Sequence, residues 1–483
     1  MDINKGDNFK NYIDLSEVTT TKFYFFLLIS FLFCFPVIYA QSFYADDVWR
    51  VSSGTFEWDG LGRYFATDIA QFYSLNIYSI VDSSPLSWML SILVLSIAAT
   101  LIYTKYNRLD AKLSVFFAVI FICNPFFIHN LLYRFDNLGM TLALFFTVLA
   151  FSFNTTTLGS LFLKVMSLVI SLNFYQTFSN VFLGLLAIEL LIRCVNNDDT
   201  KEIIKILLIS ILCFFIANVL YIIELKVFSL PSRGELLKFE LDSIIKIFHH
   251  YMAALTPFLH YWSKFNNIVL LIVPFLFISI LKFVLKKDVK AIIGLLIAMI
   301  IVFISTIGAM ALMENQFIYP RGLGYFPIIM MFMVSLMKMG HINLRWLMII
   351  PIFTCFVFSY RVGNINQIQT KFEKPILAIL TLDLHKFNSI TSFYNIGGLP
   401  LSERAKSISK HTPFDGFLDR EGWNTTGALW EYGNRNVKLE WSSAAKKSLH
   451  KYENKKDKLS LLIERMPFYK IYTDGEDGYI VWQ

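Results

Sequence analysis

Eleven stretches of this chain read as long and apolar enough to cross a bilayer, and that constrains the fold more than any other feature. They run approximately over 23–40, 85–104, 113–128, 137–153, 158–173, 177–193, 204–224, 267–285, 289–312, 324–338 and 346–360. A helical span needs about 20 apolar residues, because the hydrocarbon layer is about 30 Å thick and a helix rises about 1.5 Å per residue. The fifth, tenth and eleventh windows are short and read as tilted, re-entrant or extended by polar flanks. Composition agrees. Charged residues make up 16% of the 483 and hydrophobic ones 55%, where a soluble domain carries about 25% charged residues. The chain therefore reads as a polytopic α-helical membrane protein of about 11 transmembrane helices.

Charge then orients the spans. The net charge of +7 comes largely from basic residues in short gaps, which argues against a nucleic-acid partner and for membrane orientation. With residues 1–22 in the cytoplasm, the cytoplasmic gaps hold Lys105/Arg108/Lys112, Arg193/Lys201/Lys205, Lys282/Lys286/Lys287/Lys290 and Lys338/Arg345. The mixed charge of residues 1–22 and the bulky first span do not suit a cleavable signal peptide. The opposite, outer face receives 41–84, 129–136, 174–176, 225–266, 313–323 and the tail 361–483. The expected organisation is a cytoplasmic N-terminus (1–22), a transmembrane domain (23–360) and a periplasmic C-terminal domain (361–483). Within loops 41–84 and 225–266, Gly62–Tyr73 and Ile244–Tyr251 read as interfacial helices. In the tail, Lys374–Lys386 and Leu401–Lys410 read as helices, Asn388–Ile396 as a strand and Phe468–Trp482 as a hairpin. The five cysteines show no metal or redox spacing, and none lies in the tail.

The outer loops carry the chemistry. Tyr44-Ala45-Asp46-Asp47-Val48-Trp49-Arg50 follows the first span at once, with Trp58, Asp59, Gly62 and Arg63 behind it. The second loop holds Tyr133-Arg134-Phe135-Asp136-Asn137 and the third Tyr175-Gln176. The fourth holds Arg233, Glu235, His249, His250 and His260, and the fifth Glu314, Tyr319, Pro320 and Arg321. Ionisable groups beside a membrane-embedded cavity are functional candidates. Carboxylates that activate a hydroxyl, arginine forks that neutralise phosphate, and aromatics and amides that hold a sugar fit a sugar-phosphate site. The candidates are Asp46 and Asp47 for catalysis, and Arg50, Trp58, Arg63, Arg134, Asp136, Tyr175, Gln176, Tyr319 and Arg321 for substrate. Each has a structural alternative: Asp46 and Asp47 as helix-capping acids, Arg134 and Asp136 as a surface pair, Arg321 as an interfacial anchor, Tyr175-Gln176 as a tight loop, and the histidines as a solvated face. No metal-ligand set is apparent. A divalent cation beside the two carboxylates stays open.

An acidic motif directly after the first span resembles the hallmark of membrane-embedded glycosyltransferases of the GT-C class. The fuller pattern Tyr44-Ala45-Asp46-Asp47-x-x-Arg50, then Trp58, then Gly62-Arg63, is similar to that of the Gtr-type serotype-converting O-antigen glucosyltransferases. That resemblance implies a bacterial inner-membrane enzyme with a periplasmic active site. Its donor would be undecaprenyl-phosphate-glucose and its acceptor a hydroxyl of the O-antigen repeat of lipopolysaccharide. One Asp would act as general base, with a slight preference for Asp46, and Arg321, with Arg63 or Arg134, would hold the phosphate. A flippase and a polyprenyl-phosphate glucosyltransferase would supply the donor. The competing readings are a mannosyl- or aminoarabinosyl-transferase, an O-antigen polymerase, and a lipid-linked-sugar flippase or transporter. A transporter should show inverted repeats and midplane charges, and here charge gathers at one face. No dinucleotide-type glycine fingerprint suggests a nucleotide-sugar enzyme.

The lysine segregation predicts that alkaline phosphatase fused after residue 365 is active and that a fluorescent cytoplasmic reporter there is dark. The reverse pattern would invert the topology and remove the site with it.

Overall fold

A computed structural model describes residue 12 and residues 20–228, 237–238, 240–265, 272–285, 288–314, 318–339, 345–410, 422–439, 443–455 and 458–483. Most of segment 1–22, and Arg233, Glu235, Lys286 and Lys287, lie outside them. In chain order the helices begin with α1 (Thr20–Ala40), α2 (Asp46–Ser53), α3 (Tyr64–Ser74), α4 (Leu86–Asn107), α5 (Ala111–Ile122) and α6 (Phe127–Leu132). Next come α7 (Asn137–Ser152), α8 (Leu158–Tyr175), α9 (Val181–Val195), α10 (Thr200–Val227), α11 (Leu241–Phe265) and α12 (Ile272–Leu285). The series closes with α13 (Val289–Ser305), α14 (Phe326–Met339) and α15 (Ile349–His385).

Each of the eleven apolar windows falls on a helix, but their lengths differ from the expectation. Thr20–Ala40, Leu86–Asn107, Leu158–Val195 and Thr200–Val227 are long and apolar enough to cross a membrane. Ala111–Ile122, Asn137–Ser152, Val289–Ser305 and Phe326–Lys338 are shorter apolar helices. The third window illustrates why. Its helix α5 stops at Ile122, and Asn124-Pro125 turns the chain: the Asn124 side chain accepts from the Phe126 amide at 3.0 Å and starts α6. Proline lacks the amide that would continue the ladder, so an Asn-Pro pair inside an apolar run marks a break. Broken backbone at membrane depth is tolerated where protein buries it, and Cys123 through Tyr133 are all buried.

The two ends of the bundle differ in chemistry. Four helices start at one end with side-chain caps: Asp110 before α5, Thr157 before α8, Asp199 before α10 and Asp288 before α13. Each cap satisfies amides that a helix start leaves without partners. The basic gaps meet at this same end. Glu189 binds Arg193 at 2.9 Å and Lys105 at 3.8 Å, Lys338 pairs with Asp110, and Lys290 donates to the Asp198 carbonyl. The acidic and aromatic loops meet at the opposite end, called the outer end below. There α3 and α11 are the two helices anticipated as interfacial. Helix α11 packs through Tyr251, Ala254, Phe258 and Tyr261 and leaves Leu241, Ile244, Ile245, Phe248 and Met252 exposed.

One boundary moves. Helix α15 runs unbroken for 37 residues through residue 360, about 55 Å, joining the last apolar window to the helix expected at Lys374–Lys386. Its far half is the core of the tail. The tail continues with β1 (Ser392–Ile396), α16 (Glu403–Ser409), α17 (Gly422–Glu431), β2 (Val437–Lys438), α18 (Ser443–Lys455), β3 (Ser460–Arg465), β4 (Tyr469–Thr473) and β5 (Asp477–Trp482). The strands form one mixed sheet in the order β2-β1-β5-β4-β3, with β1 parallel to both neighbours and β3-β4-β5 antiparallel. Ile376, Leu377, Leu380 and Leu384 of α15 pack with Phe393, Tyr469, Ile471 and Ile480 of the sheet. Helix α17 carries the tail back to α2. A side-chain carbon at Gly427 would lie 2.8 Å from Val48, Trp430 meets Trp49 at 5.4 Å, and Arg435 donates to the Ser52 carbonyl.

Asp383 pins α15 to the sheet. It is buried and accepts from Arg465 at 2.8 and 3.1 Å, Lys386 at 2.7 Å and the Tyr469 hydroxyl at 2.9 Å. Arg465, with Lys386 and Tyr469, holds its carboxyl below the usual range. A folded-state pKa below the unfolded one stabilises at neutral pH, and that stability is lost as acid protonates the group. Acidification below the ordinary carboxylate range should therefore expose the tail to protease, and Asp383→Ala should do so already at neutral pH. An unchanged cleavage rate at both would show that the cluster does not hold the tail.

Candidate active site

Helix α2 stands on its second residue. Asp47 is fully buried, and its carboxylate accepts three backbone amides: Arg134 at 2.8 Å, Phe135 at 3.3 Å and Tyr44 at 3.2 Å. Burial and the nearby Asp136 charge push its pKa up, and the three amides pull it back. The preceding residue, Ala45, has φ 46° and ψ −118°, a left-handed conformation unfavourable for a residue with a side chain by about 1–3 kcal/mol. Gly54 closes the helix at φ 74°, its amide bonded to the Arg50 carbonyl. These contacts fix the rotation of the helix. Asp46 is half-buried, and no described residue bonds to its carboxylate. The structure thus divides the pair: one acid is saturated by backbone, and its neighbour has no partner among the described residues.

The arginines divide as well. Arg50 is buried, lies 3.2 Å from Asp136, donates to the Phe56 carbonyl and sits 4.0 Å above the Trp58 ring. Trp58 donates to the other Asp136 oxygen at 2.5 Å. Arg134 is bound to Asp82 at 2.5 Å and to the Gln41 carbonyl at 2.9 Å, over the Phe43 ring. The surface pair of Arg134 with Asp136, the structural alternative for both, does not form; each has another partner. Arg63 stacks on Tyr175 at 4.3 Å and donates to Gln176 at 3.0 Å. Gln176 is in turn held by the Leu61 carbonyl at 3.0 Å and the Tyr221 hydroxyl at 2.8 Å. Trp58, Arg63, Asp136 and Tyr175 line one small cavity.

Arg321 has no carboxylate partner among the described residues. Its guanidinium lies between two rings, 5.3 Å from Tyr133 and 5.1 Å from the half-exposed Tyr319. Asn130 donates to its carbonyl at 3.0 Å. Tyr133 packs edge-on against Tyr44 at 4.9 Å, and the Tyr44 hydroxyl meets His129 Nδ1 at 3.1 Å. One aromatic step therefore joins the loop of Asp46 to Arg321. A side-chain carbon at Gly322 would lie 3.7 Å from Thr177 and 4.0 Å from the Tyr175 hydroxyl. Around Arg321 the Tyr133 hydroxyl, Asn130 Oδ1 and Thr177 Oγ1 are buried without a hydrogen-bond partner among the described residues. Buried polar atoms of this kind call for an occupant.

His129, Asn130 and Thr177 were not among the sequence candidates. The first two sit just past an apolar window, and only Asn124-Pro125 signals that the chain turns them inward. Of the fourth-loop histidines, His250 meets the Ala311 carbonyl at 3.1 Å. Among the described residues no three His, Cys, Asp or Glu side chains group as metal ligands.

The family model described as glucosyl transferase GtrII matches residues 21–334, which contain all of these groups. A protein of Salmonella phage P22, described as an uncharacterized 55.3 kDa protein in the gtrB 5′ region, is 35% identical over 126 residues. That match covers 26% of this chain and 26% of the phage protein. No solved structure matches the chain.

Asp47→Ala would leave three amides without their acceptor, at about 1–3 kcal/mol for each one kept from water. It should lower the melting temperature in detergent clearly, whereas Asp46→Asn should leave it near that of the unaltered protein. Equal melting temperatures for both variants would contradict the division.

Proposed function

The chain belongs to the GtrII glucosyl transferase family, and on that premise we propose that it moves glucose from undecaprenyl-phosphate-glucose to a hydroxyl of an O-antigen repeat. The reading is carried by Asp46, whose carboxylate has no partner among the described residues and which lies two residues after Tyr44, and by Arg321, whose guanidinium lies over the Tyr133 ring that packs on Tyr44. Asp46 takes the acceptor hydroxyl proton as the oxygen attacks the anomeric carbon. That bond forms while the bond from the anomeric carbon to the phosphate oxygen breaks, and its electron pair leaves with the lipid phosphate. Arg321 stabilises the charge that gathers there. Phosphate is already stable as an anion, so the reaction requires no strong acid. A single displacement inverts the anomeric configuration.

The other candidates take supporting places. Arg63, stacked on the Tyr175 ring whose hydroxyl lies beside Gly322, is the second cation near the phosphate. The exposed ring of Tyr319 is placed to stack on sugar. Asp47, Arg50, Trp58, Arg134 and Asp136 position the loop, and Gln176 holds the Gly62–Arg63 turn. The outer end then faces the periplasm of a bacterial inner membrane, where a flippase would deliver a donor made by a polyprenyl-phosphate glucosyltransferase. The phage relative's place beside gtrB suits such a set of partners.

Purified protein in detergent should transfer glucose from synthetic polyprenyl-phosphate-glucose to an O-antigen acceptor and fail with UDP-glucose. Transfer from UDP-glucose by protein free of any polyprenyl-phosphate glucosyltransferase would refute the reading. Asp46→Asn should lower kcat by about 10²–10⁴-fold, the usual contribution of a general base. Arg321→Ala should raise the donor KM, with Arg321→Lys milder, because a lysine keeps the charge but not the planar fork. Unchanged donor KM and kcat in Arg321→Ala would return that residue to an interfacial anchor.

A further inference from the structure

A second cavity at the outer end lies where the bundle meets the tail, with a volume of about 340 Å³. That falls within the range of about 300–1,000 Å³ usual for small-ligand sites. Helix α2 lines it with Val48 and Val51, α15 with Thr370, and α17 with Asn424 and Glu431, followed by Tyr432. Val48 and Val51 are three residues apart and share one face of α2. Asp46 stands about half a turn round the same helix at 3.6 residues per turn. The cavity and the candidate base are thus on opposite sides of one short helix, whose width with side chains is about 10–12 Å.

Polar groups of this lining lack partners. Asn424 is buried, and its side-chain oxygen meets no hydrogen-bond donor among the described residues. Glu431 accepts no hydrogen bond from them, and the Thr370 and Tyr432 hydroxyls make none with them. The Arg134–Asp82 pair lines the same cavity, with Arg134 Nε buried and unbonded. Charges of both signs stand together here: Arg134 and Lys374 act on Glu431 against Asp82. An anion would meet these carboxylates, and a lipid tail would cover the amide and hydroxyls without bonding them. Among the described residues the acids do not gather as a metal-ligand set. What fits is an uncharged ring edged with hydroxyls, which can both donate and accept, and whose C–H face can lie on Val48 and Val51.

We propose that this cavity is a sugar subsite for the acceptor, holding a neutral ring of the glycan other than the one that receives glucose, with Asn424, Glu431 and Tyr432 on its hydroxyls. The assignment to the acceptor rests on the transferase reading above; a glycan threaded past α2 reaches Asp46 on one side while a neighbouring sugar is held on the other. The tail then reads the acceptor through α17, and the choice of glycan is separated from the chemistry at Asp46 and Arg321.

The test is binding of a lipid-free O-antigen oligosaccharide, two repeats long and prepared from the acceptor lipopolysaccharide, to the full-length protein in nanodiscs without donor, read by saturation-transfer NMR. The unaltered protein should bind it, and inorganic phosphate should not displace it. Glu431→Ala, at an exposed position, should weaken binding by about tenfold or more, the scale of losing a hydrogen bond to a charged group. Ala428→Phe should abolish binding by filling the cavity while keeping its polar groups; if that variant fails to fold, Glu431→Ala decides alone. No binding by the unaltered protein, displacement by phosphate, or undiminished binding by either folded variant would each overturn the proposal. In a transfer assay Glu431→Ala should raise the acceptor KM by a similar factor and leave kcat and the donor KM unchanged. Transfer with an unaltered acceptor KM would remove the subsite and leave the transferase reading standing. Cavity-dependent binding without any transfer would remove the transferase reading and leave a glycan site.

Discussion

The outer end depends on one buried carboxylate. Asp47 brings together the turn that follows α1, through the Tyr44 amide, and the turn before α7, through the Arg134 and Phe135 amides. An ionised carboxylate is expensive to bury, and hydrogen bonds from several amides are the usual compensation. Remove it and the strained Ala45, the rotation of α2 and the stack of Tyr44 on Tyr133 lose their common anchor. The Arg50–Asp136–Trp58 cluster repeats the device a turn further on, joining the same two loops through a second buried acid. A rigid frame of this kind lets a neighbouring group stay unpaired. Preorganised charge is effective in catalysis because it needs no rearrangement when the reaction occurs.

The tail adds a second support. Asp383 fastens the sheet to α15, α17 of the same domain packs on α2 at Val48 and Trp49, and Arg435 beyond α17 donates to the Ser52 carbonyl. The helix that carries Asp46 is therefore held on one side by the membrane bundle and on the other by the tail. A disturbance in the tail should reach the site through Gly427, where there is no room for a side chain.

Much of the arrangement was legible in the residues. Apolar windows marked the helices of the bundle, and the lysine gaps marked the end where the ion pairs of Glu189 and Asp110 lie. The hairpin at Phe468–Trp482 followed from alternation around a Gly-rich turn. What could not be read were outcomes of three-dimensional pairing. Asp46 and Asp47 are adjacent and chemically identical in the sequence; only the position of the 134–135 amides tells them apart. Arg50, Arg63, Arg134 and Arg321 look equally suited to phosphate until Asp136 and Asp82 are seen to occupy two of them. The run 113–128 passed for a straight span because its residues are apolar throughout, and the turn at Asn124-Pro125 that brings in His129 and Asn130 was hidden by that composition. The unbroken course of α15 was masked by the polar residues past 360, which suit a helix surface as well as a loop.

The central claim is that Asp46 and Arg321 act on opposite sides of the transferred sugar. The most direct measurement is an experimental structure with a non-hydrolysable analogue of polyprenyl-phosphate-glucose bound. The account predicts the phosphate within hydrogen-bond distance of Arg321, and the Asp46 carboxylate on the opposite face of the anomeric carbon, with Asp47 still on its three amides. A phosphate seated on Arg50 or Arg134, or Asp46 on the same face as the phosphate, would contradict it.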